Sequence, residues 1–170
     1  MPIKKHNYLL TLLNILIFSV ITLIQTSDIL SLTVKTATPM LVLPLLCGYA
    51  FFSDIRRCII AGLITGVFID SVAYNTYCFN TVVLMLLTVD VAVVSNNLFN
   101  KNIRAAVVLS LIMSGIYFVL LWLFFYMSGT DIKSSLGYLL KYALPSAVYS
   151  TVFIFPFYYL YKSFKKIREH

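Results

Sequence analysis

Long apolar segments and short polar gaps alternate along this 170-residue chain, and the charged side chains are concentrated in the gaps. None of the thirteen Lys and Arg residues lies in the middle of an apolar segment. Segments of about 20 apolar residues are long enough to cross a bilayer as helices. The pattern predicts an all-α polytopic membrane protein, a single domain over residues 1–170 with six transmembrane helices in one bundle. The predicted spans are residues 7–26, 37–53, 58–74, 80–95, 105–128 and 138–161.

The composition favours the same class of protein. Hydrophobic residues make up 61% of the chain and charged residues 11%, whereas an ordinary soluble domain carries roughly a quarter charged residues. A soluble chain of this length has no core large enough to bury so much apolar surface. The alternative is a wholly buried helical core of a larger soluble assembly, which needs a partner that covers nearly every face.

The basic residues are distributed unequally between the two sides of the predicted bundle. With six spans both termini lie on one side, which holds ten of the thirteen Lys and Arg residues and leaves Lys35, Lys133 and Lys141 on the other. Because cytoplasmic loops are rich in Lys and Arg, both termini are predicted to be cytoplasmic. The net charge of +7 therefore reflects topology, and no domain remains outside the membrane to bind nucleic acid.

The third span carries two glycines and a carboxylate on one face. Gly62, Gly66 and Asp70 recur every four residues, so they lie on the same side of a helix. Two glycines at this spacing allow another backbone to approach closely. The face is predicted either to dock a helix of a partner or to close the bundle against another span, and the sequence leaves both alternatives open.

A second carboxylate, Asp90, lies well inside the fourth span. A central aspartate costs about 3 kcal/mol on insertion scales and by default faces the bundle interior or a polar cavity. No Lys or Arg lies at the same depth, so three states stay open for Asp90. Asp90 is either protonated, or hydrogen-bonded to a group such as Asn14 of the first span, or paired with a partner protein. Structural or partner-binding use is favoured over proton transport, because neither Asp70 nor Asp90 has a His or Lys beside it.

Two further patterns concern packing. In the fifth span, Ala106, Ser110 and Ser114 again recur every four residues, which predicts close helix packing near its start. Aromatic residues crowd the ends of the spans and predict an interfacial belt, where rings lie at the level of the lipid headgroups. The predicted belt residues are Tyr49, Phe51, Phe52, Tyr74, Tyr77, Phe79, Tyr158, Tyr159 and Tyr161.

The sequence contains no pattern typical of an enzyme. Cys47, Cys58 and Cys78 have no metal-binding spacing, and His6 and His170 lie at opposite ends of the chain. No nucleophile–base pair and no phosphate-binding glycine loop occurs. We therefore expect no enzymatic activity, no metal site and no cofactor.

The third span resembles a known family. The stretch from Ala61 to Ser71, AGLITGVFIDS, is similar to the GxxxGxxxD helix of the MreD family of rod shape-determining proteins. In that family a short loop follows, and then typically a Gly and an Asn open the next helix. Here Asn80 matches the Asn, and Cys78 stands where the Gly is usual. The last span, with Pro145, Pro156 and a basic end, resembles the family's proline-containing final helix, and the six-span layout agrees.

This resemblance implies a non-enzymatic membrane subunit of the bacterial cell-elongation machinery, in the cytoplasmic membrane. Such proteins associate with MreC, a single-span protein with a large extracytoplasmic region. They work alongside MreB filaments, RodA and a class B penicillin-binding protein in lateral wall growth. The resemblance therefore implies an MreC-like protein as the direct partner. MreB, RodA and a class B penicillin-binding protein are expected as indirect partners, and the chain is expected to contact membrane lipids. The partner-binding or helix-packing residues are expected to be Gly62, Gly66, Asp70, Asn80, Asp90, Pro145 and Pro156.

A second family resembles the chain in size, span number and Gly/Asp pattern, namely the substrate-binding S components of energy-coupling vitamin transporters. Those proteins bind a vitamin near the outer face and dock an energising module through small residues, commonly Ala-x-x-x-Ala, on the first helix. The first span here, residues 7–26, contains neither alanine nor glycine. The transporter function is therefore the alternative, and the scaffolding function is the one the sequence favours.

Overall fold

The computed structural model describes residues 3–26, 39–72, 77–97, 102–126, 137 and 139–169, with the side chains of α1 described over residues 13–25. The predicted span ends at 37, 74, 128 and 138, together with Lys35 and Lys133, lie outside the described residues. The described part is helical, without a strand. Its α-helices are α1 (Ile3–Thr26), α2 (Val42–Phe52), α3 (Ile55–Val72), α4 (Phe79–Asn97), α5 (Ile103–Leu121), α6 (Leu144–Val152) and α7 (Ile154–Glu169).

Three stretches of the described chain are long and apolar enough to cross a membrane, which indicates a membrane protein. They are Phe79–Asn97, Ile103–Phe125 and Leu139–Lys166. The segments Leu13–Gln25 and Val42–Phe52 are apolar but shorter. The helix α3 has Arg56 and Arg57 in its first turn and Asp70 near its end. The all-helical class is thus confirmed, whereas the number of six membrane crossings stays a prediction.

Prolines explain where the last predicted span changes geometry. A proline lacks the N–H that would bond the carbonyl four residues earlier, and its ring also clashes with that carbonyl. For Pro145 that carbonyl belongs to Lys141, which lies in the π-helical turn Leu139–Ala143. For Pro156 it belongs to Val152, the last residue of α6. The span is therefore three helical pieces in series, and α7 continues to Glu169, eight residues beyond the predicted end at 161.

The helix α2 lies at the centre of the molecule and is shorter than predicted. It has 11 residues, about 16 Å at 1.5 Å per residue, and nearly all of its side chains are buried. Pro44 lies in its first turn and therefore introduces no kink. The N–H groups that precede the helix are bonded by side chains of other elements: Ser150 Oγ accepts from Met40 N and Gln25 Oε1 from Leu41 N, both at 2.8 Å.

Contacts between helix ends define the direction of each helix. Gln25 at the end of α1 meets the start of α2, and Asp70 near the end of α3 meets the start of α4. Helices α1 to α5 therefore run alternately in opposite directions, whereas α6 and α7 lie in series and run in one direction. We call the basic end the one where α3 and α5 begin and α2, α4 and α7 end. It carries most of the described cationic side chains, namely Arg56, Arg57, Arg104, Lys162, Lys165 and Lys166.

The small residues of α5 pack against α6. Ser110 and Ser114 are 1% and 0% exposed. The Ser114 hydroxyl lies 3.3 Å from both Ala147 O and Thr151 Oγ1 of α6. The face predicted from the spacing of Ala106, Ser110 and Ser114 is thus a buried helix contact.

Candidate functional site

The glycines of α3 press against the backbone of α4. A Cβ atom built on Gly62 would lie 2.7 Å from Met85 Cα, and one built on Gly66 would overlap Thr81 Cα. Real Cβ atoms do not approach other atoms this closely, so only glycine fits at either position. Of the two alternatives that the sequence leaves open, the structure has the intramolecular one: the glycine face closes α3 against α4. We call this contact the α3–α4 seam.

Asp70 ends the seam with a cluster of hydrogen bonds. Its Oδ1 accepts from Asn80 N at 3.2 Å and from Asn80 Nδ2 at 2.8 Å. Its Oδ2 accepts from Thr81 N at 2.7 Å and from Thr81 Oγ1 at 2.6 Å. The first N–H groups of a helix have no partner within the helix, and the helix dipole favours a negative charge there. Asp70 therefore caps α4 from the neighbouring helix.

Asn80 extends this cluster to a third helix. It is 4% exposed, and its Oδ1 accepts a hydrogen bond of 2.6 Å from the hydroxyl of Tyr117, which lies in α5 and is 3% exposed. Asp70, Asn80 and Tyr117 thus connect α3, α4 and α5 through side chains alone. Buried polar groups that are fully paired in this way fix the relative position of the helices they join.

Asp90 does not face the bundle interior, so that expectation is wrong. It is exposed on α4, beside the exposed apolar residues Val82, Leu86 and Val93 on the same face of the helix. The close approach of α3 causes this, because the seam uses the opposite side of α4. We call Val82, Leu86, Asp90 and Val93 the outer α4 face.

Asp90 forms no hydrogen bond or ion pair with any described residue, Asn14 included. It lies seven residues, about 10 Å, before the end of a helix that is apolar enough to cross a membrane. Of the three states open from the sequence, the bond to Asn14 is excluded. Protonation and pairing with a partner protein remain.

The remaining predicted site residues lie apart from the seam and from Asp90. Pro145 is in the first turn of α6 and Pro156 in the first turn of α7. Pro145 accounts for the π-helical turn before α6, and Pro156 accounts for the break between α6 and α7 at Phe153. The structure thus brings Gly62, Gly66, Asp70 and Asn80 together and leaves Asp90 and both prolines elsewhere.

A crevice opens between α1, α3 and α7, on the other side of α3. We call it the α1–α3–α7 crevice; it has a volume of about 490 Å³. Its apolar lining includes Phe18, Ile60, Ile64 and Phe68. Polar side chains line it at the basic end, namely Asn14, Ser53, Arg57, Tyr161 and Lys165. The Oδ1 atom of Asn14 and the hydroxyl of Tyr161 are buried there with no hydrogen-bond partner among the described residues.

Sequence reasoning missed three residues that the structure makes important. Thr81 gives Asp70 two of its hydrogen bonds, and Tyr117 gives Asn80 its buried partner. A Cβ atom on Gly48 in α2 would lie 3.2 Å from Phe157 Cβ and 3.3 Å from Tyr161 Cδ2, so Gly48 allows α7 to approach closely. Thr81 directly follows Asn80, so its position beside a predicted site residue could have identified it. A single glycine or a single tyrosine in an apolar span gives no such indication.

The described residues form no cluster typical of catalysis. Within the part of the chain that the structure describes, no three His, Cys, Asp or Glu side chains come together in a way that would hold a metal ion. Cys47, Cys58 and Cys78 are free thiols, the first two buried and the third exposed.

Comparison with known proteins gives no match. No family model fits the chain, and no curated protein or solved structure is significantly similar to it. The resemblance to the MreD family therefore rests on the residues of the third, fourth and sixth predicted spans.

Proposed function

We propose that the chain is a non-enzymatic membrane subunit that binds a transmembrane helix of a partner protein through the outer α4 face. In this proposal it serves the bacterial cell-elongation machinery, as the resemblance to the MreD family implies. The partner is then an MreC-like single-span protein, and MreB, RodA and a class B penicillin-binding protein act indirectly. The observation that carries the proposal is the exposed position of Asp90 on a helix apolar enough to span a membrane.

An aspartate in contact with lipid is costly, on the order of 3 kcal/mol at the centre of a span. A partner helix that places a Lys, an Arg or a hydrogen-bond donor against Asp90 removes that cost. Val82 is 51% exposed and Leu86 52%, so the same face also offers apolar surface to pack against. Because the seam and the Asp70 cluster hold α4 firmly from the other side, this face is presented on a rigid element.

The α1–α3–α7 crevice bears on the alternative function, an S component of a vitamin transporter. Its charged lining residues, Arg57 and Lys165, are at the basic end, which the charge distribution predicts to be cytoplasmic. S components bind their vitamin near the outer face. The position of this crevice therefore favours the scaffolding proposal over the transporter.

Mild-detergent pull-down of the tagged protein from its native membranes tests the proposal. We expect recovery of a single-span MreC-like protein together with wall synthases. Asp90→Leu should lower that recovery by roughly ten-fold, the equivalent of about 1.4 kcal/mol for a lost polar contact. Leu86→Ala should lower it less, and Ile112→Ala is the matched control, since Ile112 is 49% exposed on α5, away from this face.

Two results would contradict the proposal. Recovery of two ATPases and a large coupling subunit would establish the transporter function instead. Equal recovery with Asp90→Leu and with the parent protein would show that the outer α4 face does not dock the partner. Asp90→Asn separates the two remaining states of Asp90: near-normal recovery indicates a neutral, hydrogen-bonded side chain, and a loss equal to that of Asp90→Leu indicates that the charge is needed.

A further inference from the structure

The α1–α3–α7 crevice has the length of one leaflet of a bilayer. Along α3 it is lined from Arg57 to Phe68, twelve residues whose eleven rises of 1.5 Å span about 16 Å. The hydrocarbon core of a bilayer is about 30 Å thick, so one leaflet contributes roughly half of that. The crevice therefore extends about as far as one acyl chain does.

The volume of the crevice, about 490 Å³, suits a slender apolar chain. Its rim is apolar and open, since Ile60 is 58% exposed and Phe68 52%. A slender apolar chain can enter sideways from the membrane along this rim.

The chemistry of the lining changes along the length of the crevice. Thr22 and Thr65 lie among the apolar residues, but each donates its hydroxyl proton to the carbonyl four residues earlier in its own helix, at 2.7 Å. The interior is therefore apolar in effect. The cationic side chains Arg57 and Lys165 are both at the basic end, and no carboxylate is among the lining residues that the structure describes.

The basic end is suited to an anionic headgroup because Arg57 and Lys165 both line it. Among the described residues, Asp54 forms an ion pair with Arg57, with 3.9 Å between Asp54 Oδ2 and Arg57 Nε, and both side chains are at least half exposed. An ion pair of that kind is weak, so it does not prevent Arg57 from binding a phosphate.

We propose that the α1–α3–α7 crevice is a binding site for an anionic phospholipid, with one acyl chain between α1 and α3 and the phosphate against Arg57 and Lys165. The lipid comes from the leaflet at the basic end. The bound chain covers the apolar gap beside α3. This site is on the opposite side of α3 from the seam and is independent of partner binding at the outer α4 face.

Quenching of tryptophan fluorescence by brominated lipids tests this site in the full chain reconstituted into lipid nanodiscs. The chain has one tryptophan, so Trp122→Phe gives a silent background. Phe68→Trp then reports on the crevice, and Ile112→Trp, at a position of similar exposure on α5, reports on bulk lipid. The probes are dibrominated phosphatidylglycerol and dibrominated phosphatidylcholine, each diluted into unbrominated phosphatidylcholine.

We expect phosphatidylglycerol to quench the crevice reporter at lower mole fraction than phosphatidylcholine, with no such preference at the α5 reporter. Arg57→Gln with Lys165→Gln should lower the preference by roughly five-fold per cation, the equivalent of about 1 kcal/mol each. Arg56→Gln with Lys166→Gln is the matched control, because it removes the same charge from adjacent positions that do not line the crevice.

Several outcomes would overturn the proposal. Equal quenching by both lipids at the crevice reporter means that no anionic headgroup is selected. An equal preference at the α5 reporter, or an equal loss with the control pair, means that the protein attracts anionic lipid only in general. Shielding of the crevice reporter from both lipids means that protein, such as a second copy, covers the crevice.

Discussion

The two sides of α3 differ in how closely they pack against the other helices. On one side, Gly62 and Gly66 bring the backbone of α4 into direct contact, and Asp70 caps it with four hydrogen bonds. On the other side, Ile60, Ile64 and Phe68 face a crevice of about 490 Å³. The same 18-residue helix therefore carries the closest contact described above and a gap that another molecule can fill.

The difference lies in side-chain size and in polar pairing. Lipid tails are as apolar as leucine, so bulky apolar side chains gain little from meeting each other instead of lipid, whereas glycines gain close backbone contact. The polar groups follow the same division. Asp70 and Asn80 are paired at the seam, and Asn14 Oδ1 and the Tyr161 hydroxyl are unpaired in the crevice.

The largest effect should come from a side chain inserted into the seam. Gly66→Leu places atoms where the backbone of Thr81 lies, so α3 and α4 must separate, at a cost of about 3 kcal/mol or more. We expect the variant to accumulate poorly in membranes, measured by quantitative blotting. Gly115→Leu is the matched control, because a Cβ atom there meets nothing within 4 Å; equal losses for the two variants would contradict the seam.

Removal of the cap on α4 should have the next largest effect. Asp70→Leu leaves the N–H groups of Asn80 and Thr81 without their acceptors, at a cost of about 2–3 kcal/mol. In a Cys78→Ser background, a thiol-reactive dye reports thermal unfolding through the buried thiols of Cys47 and Cys58. The unfolding temperature should fall clearly, and an unchanged temperature would show that solvent or lipid headgroups replace the cap.

A smaller effect is expected from the link to α5. Tyr117→Phe keeps the ring and removes the hydroxyl that donates to Asn80 Oδ1, which should cost about 1 kcal/mol. The same thiol assay measures it, with Tyr159→Phe as the control because Tyr159 is 57% exposed. In combination with Asp70→Leu the two losses should not add, since both residues act through Asn80. Simple additivity would mean that the three helices are not coupled.

The smallest effect should come from the crevice side. Ile64→Ala shortens a side chain that is 45% exposed there, and we expect a change within about 0.5 kcal/mol. Ile69→Ala removes the same atoms from a position of α3 that is 8% exposed and should cost 2 kcal/mol or more. Unfolding temperatures of this pair compare the two faces directly. Similar unfolding temperatures for the two variants would contradict the difference between the two faces of α3.

The sequence predicted the seam through its spacing, because Gly62, Gly66 and Asp70 at four-residue intervals must share a face. It did not identify α4 as the neighbour, since periodicity within one helix carries no information about which helix covers it. The predicted orientation of Asp90 was wrong for a related reason. Outside the seam, α4 is apolar on nearly every side, so its pattern leaves open which side faces outward.

Boundaries and aromatic residues show the same limit of sequence reasoning. The structure begins α2 at Val42, five residues after the predicted bound, and continues α7 to Glu169, eight residues beyond the predicted bound. The prediction of an interfacial belt is wrong for Phe51, Tyr158 and Tyr161, which are at most 3% exposed. Their rings pack between α2 and α7, as in the pair of Phe51 and Tyr158 at 5.9 Å between centroids.

The cap of α2 has a consequence for how the protein is made. The N–H of Met40 depends on Ser150, which is 110 residues later in the chain, so a ribosome must synthesise almost the whole protein before that hydrogen bond forms. Until then the start of α2 has an unsatisfied donor, which is costly away from water. The contact at the start of the central helix is therefore made late, only after α6 has been synthesised.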